Sequence, residues 1–174
     1  MAAAVSVPTL ETARLRLRPW GDDDLDAYAS TSADPEVMRH LGSGATLSRA
    51  DAWRSMAMFV GHWQLRGFGT WAVEERATHR FVGRVGLHQP EGWPDLEVGW
   101  MLDRSTWGRG YATEAGRVSL DYAWRVLGAE HVISLIAPDN AASIRVAERL
   151  GESLEGTFAL DELDVLVYGV DAPR

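Results

Sequence analysis

The sequence predicts an α+β fold built around a mixed sheet. Two observations predict this class: strand-like segments come in groups, and helical segments separate these groups without regular alternation. The predicted element order is β-α-α-α-β-β-β-α-β-α-β-β. No repeat, linker or low-complexity tract divides the 174 residues, so we expect a single domain over residues 1–174.

The N-terminal third of the chain contains one predicted strand and three predicted helices. Residues 14–18 alternate Arg and Leu with period two, as in a strand with one buried face. Acidic residues suit the start of a short helix over 22–30, and Asp34-Pro35-Glu36 begins another helical turn. A capping-box pattern at Ser48 opens a longer helix that stops near Gly67. Its predicted core-facing stripe is Trp53, Met56, Val60 and Trp63.

The rest of the chain is richer in strands. Three successive strands are predicted first, and two helices then enclose a buried strand before a final pair of strands. The predicted strands are 68–74, 80–88, 96–102, 131–137, 153–158 and 163–170. The predicted helices are 111–127, ended by Gly128, and 140–150, ended by Gly151.

Composition excludes several classes of function. Hydrophobic residues make up 46% and charged residues 24%, no apolar run approaches the ~20 residues of a membrane span, and residues 1–5 lack a signal-peptide pattern. We therefore expect a cytoplasmic protein without membrane contact. Cysteine is absent and all 17 basic residues are arginine, which excludes thiolate chemistry, a P-loop lysine and a Schiff-base lysine.

Charge and histidine placement limit the partners further. The net charge of −8 argues against nucleic acid and is compatible with a cationic amine substrate, although it serves solubility equally well. The five histidines are scattered without a ligand-like spacing, so we expect no metal.

A glycine-rich turn between a strand and a helix predicts a phosphate site. Gly108 and Gly110 let the backbone approach an anion, Arg109 adds positive charge, and the N–H groups at the helix start face the phosphates. The residues at the helix start are Tyr111, Ala112 and Thr113. A dinucleotide fingerprint would need glycine at position 113, and a Walker loop would need lysine. A tight turn with a good helix start is the alternative without a ligand.

Five segments of the chain carry distinctive patterns in a fixed order. They are residues 12–19, with the pattern Thr-x-Arg-Leu-x-Leu-Arg, Asp-Pro-x-Val at 34–37, the strand at 96–102, Trp-Gly-x-Gly-Tyr-Ala-Thr-Glu-Ala at 107–115, and Asn-x-x-Ser-x-x-Val-x-x-Arg-x-Gly at 140–151. Together these segments resemble the GNAT acetyltransferase superfamily and, within it, the branch of ribosomal-protein N-terminal (alanine/serine) acetyltransferases. The resemblance covers nearly the whole chain.

The resemblance implies a GNAT fold and acetyl-CoA as co-substrate. The sheet would be mostly antiparallel, with about seven strands flanked by helices, and its central strands would splay. The pantetheine arm would lie in the gap beside the strand end Trp100, Met101 and Leu102, with a bulge at Gly99. The pyrophosphate would lie on residues 108–113, and Asn140 would hydrogen-bond the pantetheine arm.

The resemblance also implies transfer of the acetyl group to a primary amine by direct attack in a ternary complex. Many relatives use a tyrosine as the acid at the position of Ala147, so the usual acid is missing here. We expect Ser143 to contact the sulfur instead, although a helix-capping role is open. Glu97 is the candidate base. The alternatives are that Glu97 is only a solvent-facing strand residue, and that a chain of waters takes the proton from the amine. A backbone N–H near Trp100 or Met101 is the expected oxyanion donor.

The acceptor and the assembly are left open by the sequence. The acceptor is either a protein N-terminus or a small amine, and a homodimer is an assembly that such domains often adopt. Glu152 stands where relatives usually have an aromatic residue, and only Leu163 to Val170 form a strand after the final loop. These two departures from the family pattern are expected to open the acceptor site or to loosen the end of the sheet. A catalytically silent acyl-CoA-binding module and a nucleotide-binding module are the competing functions.

Overall fold

The structure is a computed structural model that describes residues 6–160 and 163–174; the N-terminal segment searched for a signal peptide lies outside these ranges. Its centre is an eight-stranded sheet in the order β1-β2-β3-β4-β5-β6-β8-β7. The strands are Leu10–Glu11 (β1), Leu15–Arg18 (β2), Thr70–Glu75 (β3), Arg80–His88 (β4), Glu97–Leu102 (β5), His131–Ile136 (β6), Ser153–Leu160 (β7) and Leu163–Asp171 (β8). The predicted α+β class is confirmed, and the additional strand is β1, a two-residue partner of β2.

Five α-helices flank the sheet in the described residues. They are Leu25–Ser32 (α1), Pro35–Met38 (α2), Arg49–Arg66 (α3), Tyr111–Tyr122 (α4) and Ala141–Leu150 (α5). Short 3-10 turns at Asp22–Asp24 and Arg104–Thr106 precede α1 and α4, and a π-helical turn at Ala123–Leu127 follows α4. None of the helices that the structure describes is both long and apolar enough to cross a bilayer.

The central strands β5 and β6 splay apart. They run parallel, and within the described residues they share one register pair, Glu97 with Ile133. The neighbouring ladders are antiparallel and long, because β4 pairs along β5 and β8 pairs along β6. The predicted splay is therefore confirmed. The predicted bulge at Gly99 is wrong: the β4–β5 register continues through the pair Gly86–Gly99, and the gap opens because β6 diverges.

The two faces of the sheet are covered by different helices. On one face, Tyr28 and Phe59 from α1 and α3 pack on the sheet residues Ala72 and Met101. On the other face, α4 and α5 cover clusters that include Trp71 and the fully buried Ala147. The cofactor loop and the N-terminus of α5 therefore lie on the opposite face from α3.

The apolar stripe of α3 differs in part from the prediction. Met56 and Trp63 are buried as predicted, but Trp53 and Val60 are 52% and 51% exposed. The helix buries the adjacent positions Ala52 and Phe59 instead. Both stripes have helical spacing, so the periodicity alone could not distinguish between them.

Candidate active site

The loop between β5 and α4 forms a concave row of unpaired N–H groups. Gly108 and Gly110 both have a left-handed φ of 76° and therefore turn the backbone around Arg109. The first helical hydrogen bond runs from Glu114 N–H to Gly110 O at 3.0 Å. Within the described residues, the six N–H groups of residues 108–113 have no hydrogen-bond acceptor. Such a nest at a helix N-terminus is suited to a phosphate group.

The side chains of the loop point toward the sheet or into solvent. Tyr111 is buried, and its hydroxyl donates to Glu75 Oε1 at 2.5 Å. The Arg109 guanidinium lies 3.6 Å from the same carboxylate and is half exposed. Thr113 is buried with its hydroxyl oxygen unpaired, and Ala112 packs at the edge of the core.

A polar latch fixes this loop to the N-terminal strands. The Glu114 carboxylate accepts hydrogen bonds from the Thr12 hydroxyl at 2.6 Å and from Arg14 N–H at 2.9 Å. Burial alone would raise the pKa of Glu114, but the bonds from Thr12 and Arg14 outweigh it and lower the pKa. Arg14 also donates to Arg109 O at 2.9 Å. The sequence motif at residues 12–18 thus has a positioning role that sequence reasoning missed.

Alternation along β5 decides which backbone groups face the splay. Ile133 N–H donates to Leu96 O at 2.9 Å, and the Ser134 hydroxyl donates to Val98 O at 2.8 Å. The backbone groups of the even-numbered residues of β5 therefore point toward β6. The backbone of Trp100 therefore faces the gap. Met101 pairs with β4, and its side chain is buried beneath the N-terminal helices. Leu102, also buried, lies at the end of β5.

The N-terminus of α5 lies across the gap from Trp100. Asn140 caps the helix, since its Oδ1 accepts from Ser143 N–H at 3.1 Å. The Ser143 hydroxyl oxygen accepts from the Trp100 indole N–H at 3.1 Å. Ala147, where many relatives place a tyrosine, is completely buried and supplies no polar group. Ser143 is therefore the hydroxyl that this turn of α5 presents to the gap.

Glu97 lies where the two strands separate. Its Oε2 accepts from the Trp93 indole N–H at 2.6 Å, and its Oε1 lies 3.4 Å from Leu135 N–H. Burial raises the pKa of Glu97, although the two hydrogen bonds and the positive charge of Arg84 oppose this shift. The carboxylate is therefore more basic than an ordinary glutamate.

One cleft of about 510 Å³ collects the residues expected to be catalytic. Glu97, Trp100, Asn140 and Ser143 all line it, together with Trp93. Loop residues 108–113 lie outside this cleft, as expected for groups that hold the distant end of a long ligand. No group of three or more His, Asp or Glu in the described part of the chain is arranged to hold a metal ion.

A second buried carboxyl group lies behind the cleft. Glu152 is 4% exposed, its Oε1 lies 3.1 Å from the Ser134 hydroxyl oxygen, and its Oε2 is buried without a partner. Burial, with a contribution from the charges of Glu97 and Glu155, raises the pKa of Glu152 to about 8. Glu152 thus places a carboxyl group in the packed interior between β6 and the end of α5.

A sequence model of the acetyltransferase (GNAT) domain matches residues 14–152. The chain belongs to the GNAT acetyltransferase family. This GNAT chain is 33% identical over 167 residues to the protein YkkB of Bacillus subtilis (strain 168), with 91% of this chain and 93% of YkkB covered. This family membership confirms the resemblance that the five sequence segments indicate.

Solved structures have the same GNAT fold. An acetyltransferase from Agrobacterium tumefaciens str. C58 superposes with a TM-score of 0.86 at 30% identity, covering 99% of each chain. RimL, a ribosomal L7/L12 α-N-protein acetyltransferase solved in complex with coenzyme A, has a TM-score of 0.80 at 18% identity, covering 94% of this chain and 98% of its own. At that identity the likeness shows the fold alone.

A second relative, the N-acetyltransferase YoaA of Bacillus subtilis (strain 168), is 28% identical over 174 residues, with 96% of this chain and 98% of YoaA covered. With its GNAT domain and these acetyltransferase relatives, the chain is an acetyl-CoA-dependent N-acetyltransferase. The competing interpretation as a catalytically silent acyl-CoA-binding module has no support among these relatives.

Proposed function

We propose that this enzyme transfers the acetyl group of acetyl-CoA to a primary amine, a small amine or a protein N-terminus, by direct attack in a ternary complex. The observation that carries the proposal is the convergence of Glu97, Trp100 and Ser143 on one cleft at the point where β5 and β6 separate. A proton acceptor, a backbone donor and a hydroxyl donor are the three groups that amine acetylation needs.

The residues present fit acetyl-CoA at both ends. The nest at residues 108–113 offers six unpaired N–H groups for the pyrophosphate. The backbone of Trp100 faces the splay beyond the last β5–β6 register pair and is suited to an amide of the pantetheine arm. Asn140 uses its side-chain oxygen as a helix cap, which leaves its NH₂ group to donate. When bound, acetyl-CoA supplies the acetyl group as an activated thioester.

Ser143 is the proposed proton donor toward the sulfur. Because the Trp100 indole N–H donates to the Ser143 oxygen, the hydroxyl proton is directed away from that bond and is available to another acceptor. The same bond fixes the side-chain rotamer. Ala147 leaves no competing acid on the next turn of α5.

Glu97 is the proposed base toward the amine. Its raised pKa makes it a stronger proton acceptor, and Trp93 holds its orientation from the side of the cleft. The Trp100 N–H is the proposed donor to the carbonyl oxygen. Met101 N–H is not proposed for this role, because the backbone groups of odd-numbered β5 residues point toward β4 and away from the gap.

The test measures steady-state acetyl transfer to a panel of amines and N-terminal peptides. The release of the coenzyme A thiol is the readout, and the rate is measured from pH 5 to pH 9. We expect the rate to rise with pH along a limb above the ordinary carboxylate range, because Glu97 must be ionised. Glu97→Gln should lower kcat by about 10²- to 10⁴-fold and abolish that limb. The exposed Glu91 offers the matched control Glu91→Gln, which should leave the profile unchanged. An unaltered profile in Glu97→Gln would remove Glu97 from the mechanism.

A further inference from the structure

Arg84, on β4, is a cation of the cleft that makes no ion pair in the described residues, although its charge acts on Glu97 from a longer distance. Its Nε is buried and has no hydrogen-bond partner, and no carboxylate of the described residues forms an ion pair with it. The other arginine at the cleft, Arg39, pairs with Glu36, and His40 Nδ1 lies 3.2 Å from Asp139 Oδ1. An unpaired, partly buried guanidinium is costly unless a ligand satisfies it.

The guanidinium of Arg84 is held in place by an aromatic ring. Its central carbon lies 4.8 Å from the centroid of Phe59, which is itself buried against the sheet. This contact orients the planar group without using its N–H donors. A planar guanidinium with free donors is the protein group best suited to a carboxylate, which it binds through two parallel hydrogen bonds.

Strand register places Arg84 and Glu97 along one strip of the sheet. His88 pairs with Glu97 and Gly86 with Gly99, and Arg84 follows two residues further along β4 on the same face. Between the cation and the carboxylate, the floor of the strip includes Gly99, which lines the cleft without a side chain. The Glu97 carboxylate leans over this floor, since a Cβ on Gly99 would lie 3.6 Å from its Oε1.

The walls of the strip are neutral and aromatic. His88 packs edge-on against Trp93 and Phe59, with ring centroids 5.3 and 6.3 Å apart. Burial first, and then the neighbouring His62 and Arg84, lower the pKa of His88 to about 4, so this ring is uncharged at neutral pH. An acceptor in the strip thus meets the Glu97 carboxyl group at one end, the Arg84 guanidinium at the other and uncharged aromatic rings between them.

We propose that Arg84 forms a subsite for an anionic group on the acceptor, and that the substrate is an amine that also carries a carboxylate, of amino-acid size. This inference rests on the proposed function, because it assumes that the amine lies at Glu97. A polyamine fits less well, since its second positive charge would lie near Arg84.

The experiment compares acceptors that differ by one carboxylate. L-phenylalanine is paired with 2-phenylethylamine, and 5-aminopentanoate with pentylamine, in the thiol-release assay with saturating acetyl-CoA. In the pair that reacts faster, we expect kcat/KM to be at least tenfold higher for the carboxylated acceptor than for the plain amine. Arg84→Met should reduce that value by roughly 10- to 100-fold, mainly through KM, and should change the plain amine less than threefold.

Two control variants make the result specific. Arg80→Met, on the same strand, removes an exposed arginine that bonds Ser105 away from the cleft and should have no effect. Arg84→Lys keeps the charge but not the paired donors, so we expect an intermediate loss for the carboxylated acceptor. This variant also decides the question if Arg84→Met does not fold.

Two outcomes would overturn the subsite. One is a wild-type enzyme with no preference within either pair, and the other is an equal loss for both members in Arg84→Met, which would mean that Arg84 acts only through Glu97. If no amine is acetylated, the proposed function fails, and calorimetric titration of 3-phenylpropionate decides the subsite separately. Binding by wild type that is lost in Arg84→Met supports it, and absent or unchanged binding overturns it.

Discussion

Replacing Glu152 with glutamine should make the protein more stable at alkaline pH. In the folded state this carboxyl group is almost fully buried, bonded to Ser134 through one oxygen and unpaired at the other. Its pKa is raised from 4.5 to about 8, chiefly by burial. The folded protein therefore holds the Glu152 proton over a pH range in which the unfolded chain releases it.

The sign and size of the effect follow from this difference. Because the folded state binds the proton more tightly, the contribution of Glu152 to stability is complete below pH 4.5 and is lost as the pH rises toward 8. Each pH unit well between the two pKa values costs about 1.4 kcal/mol, and titration is partial at both ends, so the free energy of unfolding should fall by about 3.5 kcal/mol between pH 5 and pH 8 through this residue. Glutamine has nearly the same shape, still bonds Ser134 and carries no proton to lose.

The assay is urea unfolding of wild type and Glu152→Gln at pH 5, 6.5 and 8. From pH 5 to pH 8, the free energy of unfolding of Glu152→Gln minus that of wild type should increase by several kcal/mol. Glu148→Gln, at an exposed position on α5, controls for the loss of one surface charge and should follow wild type. Parallel curves for wild type and Glu152→Gln at all three pH values would refute the buried-acid assignment.

The remaining predictions concern the nest and the proposed acid. Gly110→Val should weaken acetyl-CoA binding by tenfold or more in calorimetry, because a branched residue resists the φ of 76° that shapes the nest. Gly128→Val introduces similar strain (φ 67°) away from the loop and should leave the affinity unchanged; equal effects on affinity would count against the loop. Ser143→Ala should lower kcat by about 10²-fold with little change in acetyl-CoA affinity, whereas Ser153→Ala on exposed β7 should do neither. Full activity in Ser143→Ala would show that water serves as the acid.

Local chemistry is what made much of the fold predictable. The sequence predicts both ends of α3, because Ser48 caps its first turn and Gly67 ends the helix in the left-handed region. The same holds for the nest, in which Gly108 and Gly110 adopt the positive φ values that glycine tolerates. Features fixed by one residue and its immediate neighbours can be derived from the chain alone.

Contacts between distant segments could not be derived in this way. The latch from Glu114 to Arg14 spans 100 residues of sequence, and the bond from Ser134 to Glu152 joins a strand to the end of α5. Nothing local marks either pair. Arg84 was not singled out because a strand arginine is ordinarily solvent-exposed, and its unpaired state is visible only when the surrounding carboxylates have been placed.

The split between β5 and β6 divides the sheet into two units that are joined by one backbone register pair in the described residues. Five strands lie on one side and three on the other, and their backbone ladders meet at the Glu97–Ile133 pair. Each unit has a continuous hydrogen-bond network of its own, so amide exchange should report two separately opening blocks. A ligand that spans the gap would couple them, and its binding energy would then be measurable as slower exchange on strands that it does not touch.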